Sequence, residues 1–529
     1  MPVQKPGILS WPGAPLAAHC KPVAKPAAGL CRHGIYVQIP ALAWHCVAIW
    51  QRTRPHSETR THLAPARRAS DPAHPAVSPG PASRAGFFVM PTEAIDPLIA
   101  ARWVIPIEPH GLCLEHHSLA VDGGRIVALL PSEAAAARFA PRQRLSLPQD
   151  GLLPGLVNLH THAAMTLLRG YADDIALMDW LNRRIWPAER RHVSPAFVRD
   201  GTLLAGAEML RGGITCFNDM YFHPREAAAA ALRLGMRAAL GMVVIEFPSA
   251  YAADADDYLD KGLAARDALR DEALISFCMA PHAPYTVSDK TLARIMTLAD
   301  QLDLPIHMHI HETRAEIAES IKQYGVRPLA RLQRLGLIGP GLIAVHAVHL
   351  EADEIALLAG QGASVAHCPS SNMKLGSGIA PIAALQAQGI RVGLGSDGAA
   401  SNNRLDLFRE MHQAALLAKA ANHDAAVVDA HAALRMATLD GAAALGLERR
   451  IGSLLPGKAA DLCAVRLDDP MLLPCFDPAS HLVYVAGREH VSHVWVDGQP
   501  RVLEGELLGI ETAELLDKAH LWHNMLIEE

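Results

Sequence analysis

At Leu153–His162 the chain reads LPGLVNLHTH, an apolar run that ends in two histidines. A short apolar run bounded by Pro and Gly is typical of a strand buried on both faces of a parallel sheet. Downstream, similar runs alternate with Ala- and Leu-rich helical stretches, which is the pattern of repeated βα units. We count eight such runs, at Leu153–Leu159, Gly213–Phe217, Arg237–Val244, Leu274–Ala280, Pro305–Ile310, Leu342–Val345, Ala363–Ala366 and Arg391–Leu394. The sequence therefore predicts a TIM (β/α)8 barrel over residues 153–447, with its chemistry at the C-terminal ends of the strands.

The segments on either side of the barrel have the pattern of a second, all-β unit. Residues 122–124 read DGG and separate Leu119–Val121 from Ile126–Ala128, as a hairpin turn separates two strands. Similar strand-and-turn text returns after the barrel at Val494–Gly498. We therefore predict a small β-sandwich domain formed by residues 90–152 together with 448–510, followed by a C-terminal helix at 511–529.

Residues 1–89 differ in composition from the rest of the chain. They hold 13 of the 37 prolines, and ten Lys or Arg against only Glu58 and Asp71. Frequent proline opposes helices and central strands, so we expect a disordered, basic extension. The N-terminus lacks the layout of a secretory signal, and Met90 precedes the first orderly pattern, so translation from Met90 is a hypothesis.

Charge and cysteine usage exclude several classes of partner. The net charge of −6 gives no reason to expect a nucleic-acid or anionic-membrane partner for the whole chain. The apolar run Ile35–Trp50 is short for a membrane span and contains Pro40. The nine cysteines include no CxxC pair, which favours a reducing cytoplasm over a disulfide framework. We therefore predict a cytoplasmic protein that binds neither nucleic acid nor membrane.

Residues of metal-ligand type terminate four of the eight runs. Residues two apart in a strand share a face, so His160 and His162 can reach one ion. The fifth run continues as HMHIHET at 307–313, the sixth ends before His346, and the eighth leads into Asp397. Because the strands of a barrel end at one mouth, these side chains should converge. Three imidazoles and one carboxylate suit zinc and leave a position for a water that ionises near neutral pH.

Several strings resemble those of the amidohydrolase superfamily, and within it the 5-methylthioadenosine/S-adenosylhomocysteine deaminases. They are HTH at 160–162, PHAPYT at 281–286, HIHET at 309–313, HAVHL at 346–350, CPSSNMKL at 368–375 and SDGAASNN at 396–403. The resemblance runs from about residue 92 to 510 and leaves the N-terminal extension outside.

The resemblance implies a hydrolytic deaminase that holds one divalent ion, expected to be zinc. The metal ligands it implies are His160, His162, His309 and Asp397. Glu312 would protonate the substrate ring nitrogen, His346 would hold the water or stabilise developing charge, and Asp397 could accept a proton. Run four ends in Ala280-Pro281-His282 without a lysine that could bridge two metals, so a single ion is expected.

Some histidines and one carboxylate have more than one interpretation. His307 shares a strand face with His309, so both can reach the ion, and the resemblance favours His309. His311 should point the other way, and His349 is either a packing residue or a second catalytic group. Asp219 is either a helix cap or a support for a ligand.

The resemblance also implies a nucleoside substrate. By position, Glu189 matches the glutamate that binds ribose hydroxyls, and His282 matches a residue that contacts the nucleoside. The stretch Val244–Tyr251 contains no arginine for the carboxylate of S-adenosylhomocysteine, so 5-methylthioadenosine or adenosine is the expected substrate. Trp103, Trp180 and Trp186 could line an apolar pocket. Barrel enzymes of this kind are often dimers or tetramers, so a homo-oligomer is expected.

Two rival functions remain. A guanine-type or triazine-type hydrolase of the same fold would use the same ligands, although Glu312 and the SDGAASNN string favour an adenosine-type substrate. A catalytically inactive scaffold would have lost ligands first, whereas all of them are present.

Overall fold

The computed structural model describes residues 93–527, and the predicted extension at 1–89 lies outside them. The strands are β1 (Glu93–Ile95), β2 (Leu98–Val104), β3 (Leu114–Asp122), β4 (Arg125–Pro131), β5 (Phe139–Pro141), β6 (Arg144–Pro154), β7 (Leu156–Thr161), β8 (Ile214–Asp219), β9 (Arg237–Val244), β10 (Ile275–Pro281), β11 (Ile306–Ile310), β12 (Leu342–His346), β13 (Ser364–His367), β14 (Arg391–Leu394), β15 (Leu462–Arg466), β16 (Val491–Val496), β17 (Gln499–Leu503) and β18 (Glu506–Leu507).

The helices alternate with the barrel strands and continue beyond them. They are α1 (Ser132–Arg138), α2 (Leu177–Trp180), α3 (Trp186–His192), α4 (Pro195–Arg211), α5 (Pro224–Leu234), α6 (Ala255–Leu269), α7 (Asp289–Leu302), α8 (Arg314–Tyr324), α9 (Pro328–Arg334), α10 (Ala352–Gln361), α11 (Pro369–Lys374), α12 (Ile382–Ala387), α13 (Ala399–Asn402), α14 (Leu407–Asn422), α15 (Ala430–Met436), α16 (Leu439–Ala444), α17 (Pro478–Tyr484) and α18 (Thr512–Ile527). Short 3-10 turns cover Ala163–Leu168 and Arg488–His490. A π-helical turn, Leu181–Ile185, joins α2 to α3.

Strands β7 to β14 form a parallel sheet in which neighbours in sequence are neighbours in space. The sheet closes on itself where β14 meets β7. There Asn158 Nδ2 donates to Ser396 Oγ at 2.7 Å, and Ser396 N donates to Asn158 Oδ1 at 2.9 Å. Every residue of β7, β8 and β9 is buried, as expected for strands covered on both faces. The predicted TIM barrel is confirmed.

The first barrel strand differs in its boundaries from the predicted run. Leu153 belongs to β6, where it pairs with Cys463 of β15, and β7 begins only at Leu156. Gly155 separates the two strands where the chain packs tightly, because a Cβ on it would lie 2.2 Å from Thr215 Oγ1. The apolar run predicted as one strand therefore spans a switch between two sheets.

The second sheet combines segments from both sides of the barrel, in the order β18-β17-β16-β15-β6-β2-β3-β4. The two segments meet where β15 pairs antiparallel with β6, with Leu462 opposite Pro154. The predicted hairpin joins β3 to β4, with Asp122 opposite Arg125. Side chains from both segments share a buried core that includes Leu119 and Trp495. The small β domain built from both sides of the barrel is confirmed.

Two further contacts complete the described fold. Arg237 at the start of β9 binds Asp461 through Nε at 2.7 Å and Asp497 through Nη2 at 2.8 Å, so the barrel is tied to the β domain. Helix α18 docks on α4, where Trp522 Nε1 donates to Asp200 Oδ2 at 3.1 Å. Within residues 93–527, no helix combines the length and apolar character needed to cross a membrane.

Candidate active site

Four strand ends bring imidazoles and carboxylates together at the mouth of the barrel. His160 lies in β7 and His162 follows it, His309 lies in β11, and Asp397 follows β14. Asp397 Oδ1 is 3.4 Å from both His160 Nε2 and His162 Nε2, and His309 Nε2 is 3.3 Å from His160 Nε2. The ligand atoms form two overlapping groups, His160 with His162 and Asp397, and His160 with His309 and His346, and within each group they are close enough to hold an ion.

The opposite ring nitrogen of each of these histidines has a partner that fixes the ring. His162 Nδ1 donates to the carbonyl oxygen of Met220 at 2.6 Å, and His309 Nδ1 donates to that of His282 at 2.7 Å. His160 Nδ1 lies 3.0 Å from His307 Nε2. Such partners orient the ring of a metal ligand and set its tautomer, leaving Nε2 unprotonated.

The cluster fits a divalent cation on the chemistry of its donors. The unprotonated Nε2 atoms of His160 and His309 lie 3.3 Å apart, next to a carboxylate oxygen of Asp397. Their lone pairs therefore point at one another with no proton between them. Burial lowers the pKa of His160 to about 4, with the nearby Asp397 carboxylate opposing this, so the imidazole is neutral near pH 7. A positive ion among neutral imidazoles and a carboxylate satisfies all these lone pairs.

Asp397 is held in a single position by its surroundings. Ser371 Oγ donates to Asp397 Oδ2 at 2.6 Å, and Gly398 N donates to Asp397 Oδ1 at 2.7 Å. Burial alone would raise the pKa of Asp397, but its interactions with the neighbouring imidazoles of His160 and His162 hold it well below its usual range. The aspartate is therefore an ionised oxygen donor facing the cluster.

Glu312 and His346 occupy the next positions around the cluster. His346 Nε2 is 3.9 Å from Glu312 Oε2, and its Nδ1 donates to Asn372 Oδ1 at 2.9 Å. His346 also lies within ligand distance of His160 and His309. Burial raises the pKa of Glu312, with His346 opposing this and Asp397 adding to it. A carboxyl group whose pKa is raised towards neutrality suits proton transfer.

The backbone at two of these positions is strained. His346 has φ 69° and Asp397 has φ 57°, in the left-handed region that non-glycine residues rarely adopt. Each such residue costs on the order of 1–3 kcal/mol, and such costs are concentrated at functional sites. This backbone conformation occurs where β12 and β14 end, and it places the side chains of His346 and Asp397 beside the ligand cluster.

A partly open cavity lies above the cluster. Its lining comprises His162, Met165, Leu177, Trp180, Leu181, Ile185, Trp186, Glu189, Met220, Tyr221, Phe222, Val243, Ile245, His282, Tyr285, His309, Glu312, His346, Leu375, Asp397 and Ser401. Trp180 and Trp186 thus line the cavity, whereas Trp103 lies in β2, outside this lining. The concave, largely apolar lining with a few polar groups suits a small organic molecule.

Glu189 and His282 face this cavity from different sides. Glu189 belongs to α3, and Tyr221 OH donates to its Oε1 at 2.7 Å. Burial raises the pKa of Glu189 to about 7, although the bond from Tyr221 opposes the shift. His282 follows β10 and contacts Thr286 Oγ1 through Nδ1 at 3.2 Å. A polar carboxyl group and an imidazole are therefore available in a largely apolar chamber.

The residues with more than one interpretation are now located. His307 lies behind His160, outside the ligand cluster, and is fully buried. His311 accepts a hydrogen bond from Leu329 N at 3.2 Å, and His349 contacts the Ser377 carbonyl oxygen at 2.8 Å, so both have structural partners. Asp219 accepts a hydrogen bond from Ala163 N at 2.8 Å, as a cap of the 3-10 turn does.

The structure adds residues that the sequence did not single out. Glu316 accepts hydrogen bonds from Glu312 N at 2.8 Å and from His311 N at 3.0 Å, and so fixes the backbone of Glu312. Ser371 and Asn372 contact Asp397 and His346. Ser371 and Asn372 belong to the string at 368–375 that resembles the amidohydrolase superfamily, but the string did not indicate which residues they contact.

Comparisons with known proteins agree with this geometry. The amidohydrolase family model matches residues 152–501. A 5-methylthioadenosine/S-adenosylhomocysteine deaminase of Teredinibacter turnerae is 47% identical over 435 residues, which are 82% of this chain and 98% of that protein. A protein of the same name from Saccharophagus degradans is 45% identical over 427 residues, covering 81% and 96% of the two chains.

One solved structure extends the comparison to the fold. The crystal structure of an adenosine deaminase from Xanthomonas campestris with bound zinc is 50% identical, with a TM-score of 0.82. The match covers 83% of this chain and 100% of that one. From its family match and its relatives, this chain belongs to the amidohydrolase family and is a hydrolase of carbon–nitrogen bonds, a deaminase.

Proposed function

We propose that this protein is a zinc-dependent deaminase that replaces the 6-amino group of an adenosine-type nucleoside and releases ammonia and the inosine-type product. The expected substrate is 5-methylthioadenosine, with S-adenosylhomocysteine and adenosine as further candidates. One observation carries the proposal. Glu312, beside the ligand cluster, and Glu189, on α3, line the same apolar cavity, one at the reacting end and one at a distance from it. Two close relatives that carry the name of such a deaminase support it.

The proposed metal ligands are His160, His162, His309 and Asp397, with one zinc ion per subunit. Their short distances and the partners on Nδ1 support this set. A bound ion would supply the Lewis acidity that makes a water molecule nucleophilic near neutral pH. The zinc in the Xanthomonas campestris structure supports the identity of the metal.

The proposed proton transfers use three side chains. Asp397, ionised and facing His160 and His162, accepts a proton from the attacking water and passes it to the amino group, which leaves as ammonia, while the new ring hydroxyl returns a proton to Glu312. Glu312 delivers a proton to the ring nitrogen next to the amino-bearing carbon, which the raised pKa of its carboxyl group favours. His346 donates from Nδ1 to Asn372 Oδ1, so its Nε2 is free to accept a hydrogen bond from the attacking water and hold it in place.

The proposed substrate contacts use Glu189 and His282. The Glu189 carboxylate accepts hydrogen bonds from the ribose hydroxyls, while Tyr221 keeps it aimed into the cavity. His282 contacts the nucleoside from the side of β10. A bare guanine or a triazine has no ribose hydroxyls and would leave the second carboxylate oxygen of Glu189 without the hydrogen bonds that a nucleoside supplies.

We also propose the domain division 90–152 with 448–510 for the β domain, 153–447 for the barrel and 511–529 for the C-terminal helix. The six cysteines of the described residues are all free, which supports the proposed location in the reducing cytoplasm. A small-molecule nucleoside is the proposed partner. The homo-oligomer, a dimer or a tetramer, stays a prediction that sedimentation of the purified protein tests.

The experiment that tests the proposal offers the zinc-loaded protein 5-methylthioadenosine, S-adenosylhomocysteine, adenosine and guanine, and follows ammonia release and the ultraviolet change of the ring. We expect turnover of the 5-methylthio compound, and its loss in Glu312→Gln. Glu319→Gln is the matched control, since Glu319 is an exposed acid on α8 that pairs with Lys322. Turnover of guanine alone would contradict the proposed substrate.

A further inference from the structure

One wall of the catalytic cavity is a single helical layer, formed by residues 171–185. We call this segment the roof. From its α2 helix, Leu177 and Trp180 line the cavity, whereas Met178 and Asp179 on the same helix are exposed. Because only one layer of helix separates the cavity from solvent here, a movement of the roof would open the cavity.

The π-helical turn Leu181–Ile185 divides α2 from α3. Trp180 and Glu189 both line the cavity, although nine residues of an uninterrupted α-helix make about 2.5 turns and would place them on opposite sides. The turn takes up the extra residue, since Trp186 N donates to the carbonyl oxygen five residues earlier. Pro187 contributes to the break, because it lacks an N–H and its ring clashes with the carbonyl group four residues before it. The helix is therefore interrupted at a point where it can bend.

The roof is anchored at its two ends and weakly held between them. Before it, the Arg169 guanidinium binds the Glu208 carboxylate and the Asn403 carbonyl oxygen. After it, α3 is fixed by Tyr221, which donates to Glu189 Oε1 at 2.7 Å. Within residues 93–527, no backbone N–H of residues 172–176 donates to a backbone carbonyl oxygen. Segments with so few such bonds open at low cost, so side chains must hold the roof down.

One carboxylate of the roof makes this connection. Asp173 Oδ1 accepts a hydrogen bond from Lys374 Nζ at 2.6 Å, and Asp173 Oδ2 accepts one from Asn403 Nδ2 at 3.0 Å. The hydrogen bond from Lys374 lowers the pKa of Asp173, so the carboxylate is ionised near neutral pH. The side chains of Asp173 and Lys374 are 39% and 21% exposed, so salt can screen this ion pair.

Lys374 connects the roof to the segments that hold the proposed catalytic groups. Its ammonium group also donates to the Ala400 carbonyl oxygen at 3.1 Å and to Asn403 Oδ1, so all three of its N–H groups have acceptors. Lys374 is the last residue of α11, which carries Ser371, the donor to Asp397. The roof is thus tied to the same helix that positions the aspartate.

We propose that the roof is a lid on the catalytic cavity, and that the ion pair between Lys374 and Asp173 is its latch. When the pair breaks, the lid swings out at the π-helical turn and a bound molecule can leave. When the pair forms, Leu177 and Trp180 cover the molecule and exclude water. Lys374 is outside the cavity lining and is therefore a positioning residue that acts through the lid. The inference holds for whichever ring compound the protein deaminates.

Hydrogen exchange of the zinc-loaded full chain, followed by mass spectrometry, measures lid opening without reference to activity. In Asp173→Asn we expect the amides of α2 and of the π-helical turn to exchange about fivefold faster, as the loss of a part-exposed ion pair allows. The amides of α14 should exchange as in the wild type. Salt at about 1 M should speed exchange of the lid in the wild type and have little effect in the variant, because it screens the pair.

Asp179→Asn is the matched control, because Asp179 is an acid of the lid whose partner, Arg183 at 3.1 Å, belongs to the lid as well. It removes the same charge and should leave the exchange of the lid unchanged. Lys374→Met should match Asp173→Asn in the exchange of the lid, and the double variant should add nothing further, because both substitutions remove one interaction.

The rate at which a chelator such as dipicolinate removes zinc shows whether the lid controls access to the cavity. We expect about fivefold faster removal in Asp173→Asn and the wild-type rate in Asp179→Asn. Wild-type exchange of the lid in Asp173→Asn overturns the inference. So does faster exchange with an unchanged rate of zinc removal, which a loosened surface loop would give. Results as expected in a protein that deaminates none of the nucleosides would support the lid and remove the proposed substrate alone.

Discussion

At the scale of single residues, the chemistry of the site depends on which ring nitrogen of each histidine is available to bind a metal ion. His162 and His309 donate from Nδ1 to backbone carbonyl oxygens, whereas His160 Nδ1 meets another imidazole, His307. His307 Nδ1 is buried without a hydrogen-bond partner within the described chain. Leaving a buried N–H unpaired costs about 1–3 kcal/mol, so His307 is expensive to keep in this position. Because its Nε2 lies next to His160 Nδ1, we infer that His307 is kept at this position to hold the His160 ring in place.

Replacing His307 tests that role. We expect His307→Phe to weaken zinc binding by roughly 10–100-fold, because His160 loses the acceptor that orients it. His307→Gln should retain much of the affinity, since its amide oxygen can accept the same hydrogen bond. Competition for zinc against a chelator measures both variants without reference to activity. A Phe variant that is folded by circular dichroism and binds zinc like the wild type would contradict the assignment.

Glu189 gives a pH-dependent prediction at the same scale. Burial raises its pKa from 4.5 to about 7 in the folded protein, so its contribution to stability is lost as the pH rises through 7. Glu189→Gln removes this titration and keeps an oxygen for Tyr221. We expect the variant to be more stable than the wild type near pH 8, on the order of 2 kcal/mol, and the difference to shrink as the pH falls from 7 and to vanish below about pH 4.5. Urea unfolding across this range measures it, and a difference independent of pH would refute the raised pKa.

At the scale of strands and helices, the sequence predicted best those elements whose position depends on a single physical requirement, such as burial on both faces. The apolar runs predicted β9 and β14 with their observed bounds, because strands covered on both faces need continuous apolar sequence. The prediction of one strand beginning at Leu153 was wrong, because the apolar run contains the end of one strand and the start of another, which belong to different sheets and are separated by Gly155. The proposed ligands could be found because strand ends converge in a barrel. The contacts of Ser371 and Asn372 could not be predicted, because they depend on how helices dock.

One buried carboxylate shows how docking of helices positions the site. Glu410 on α14 accepts hydrogen bonds from Ser370 N at 3.0 Å and from Asn402 Nδ2 at 2.9 Å. Those partners belong to α11, which carries Ser371 and Asn372, and to α13, which follows Asp397. Burial raises the pKa of Glu410 to about 7, with the hydrogen bonds opposing this. Glu410 therefore joins the two segments that hold Asp397 and His346.

Removing this carboxylate should affect both stability and turnover. Glu410→Ala leaves two buried N–H groups unpaired, so we expect a loss of about 2–4 kcal/mol in the free energy of unfolding. We also expect kcat to fall more than the affinity for zinc, because the segments around Asp397 and His346 shift. Arg409→Ala, an exposed neighbour on α14, is the control. Wild-type kcat in the Glu410 variant would show that the two segments are positioned without it.

At the scale of the whole molecule, the barrel and the β domain are joined by a buried ion cluster. The Arg237 side chain is 3% exposed and that of its partner Asp461 is 1% exposed, so neither charge can be solvated if the other is removed. Asp461 also accepts a hydrogen bond from Asp497 N at 2.8 Å. The cluster therefore ties β9 of the barrel to the segments next to β15 and β16 of the β domain.

Breaking this cluster should destabilise the whole protein without altering the site directly. We expect Arg237→Gln to lower the free energy of unfolding by about 3–5 kcal/mol, because Asp461 remains as an unpaired buried charge. Arg211→Gln, at an exposed position of α4, should change it by less than about 0.5 kcal/mol. Urea unfolding followed by fluorescence compares the two variants. Equal stabilities would mean that water reaches the cluster.

The central claim is hydrolytic deamination of a 5′-thioether adenosine at the barrel mouth. It is tested most directly by incubating the zinc-loaded protein with 5-methylthioadenosine in water labelled with heavy oxygen, and analysing the nucleoside by mass spectrometry. The account predicts an inosine-type product that carries one labelled oxygen on the ring, one ammonia per product, and neither in Glu312→Gln. An unchanged nucleoside with zinc bound, or a cleaved glycosidic bond with the amino group still on the ring, would contradict it.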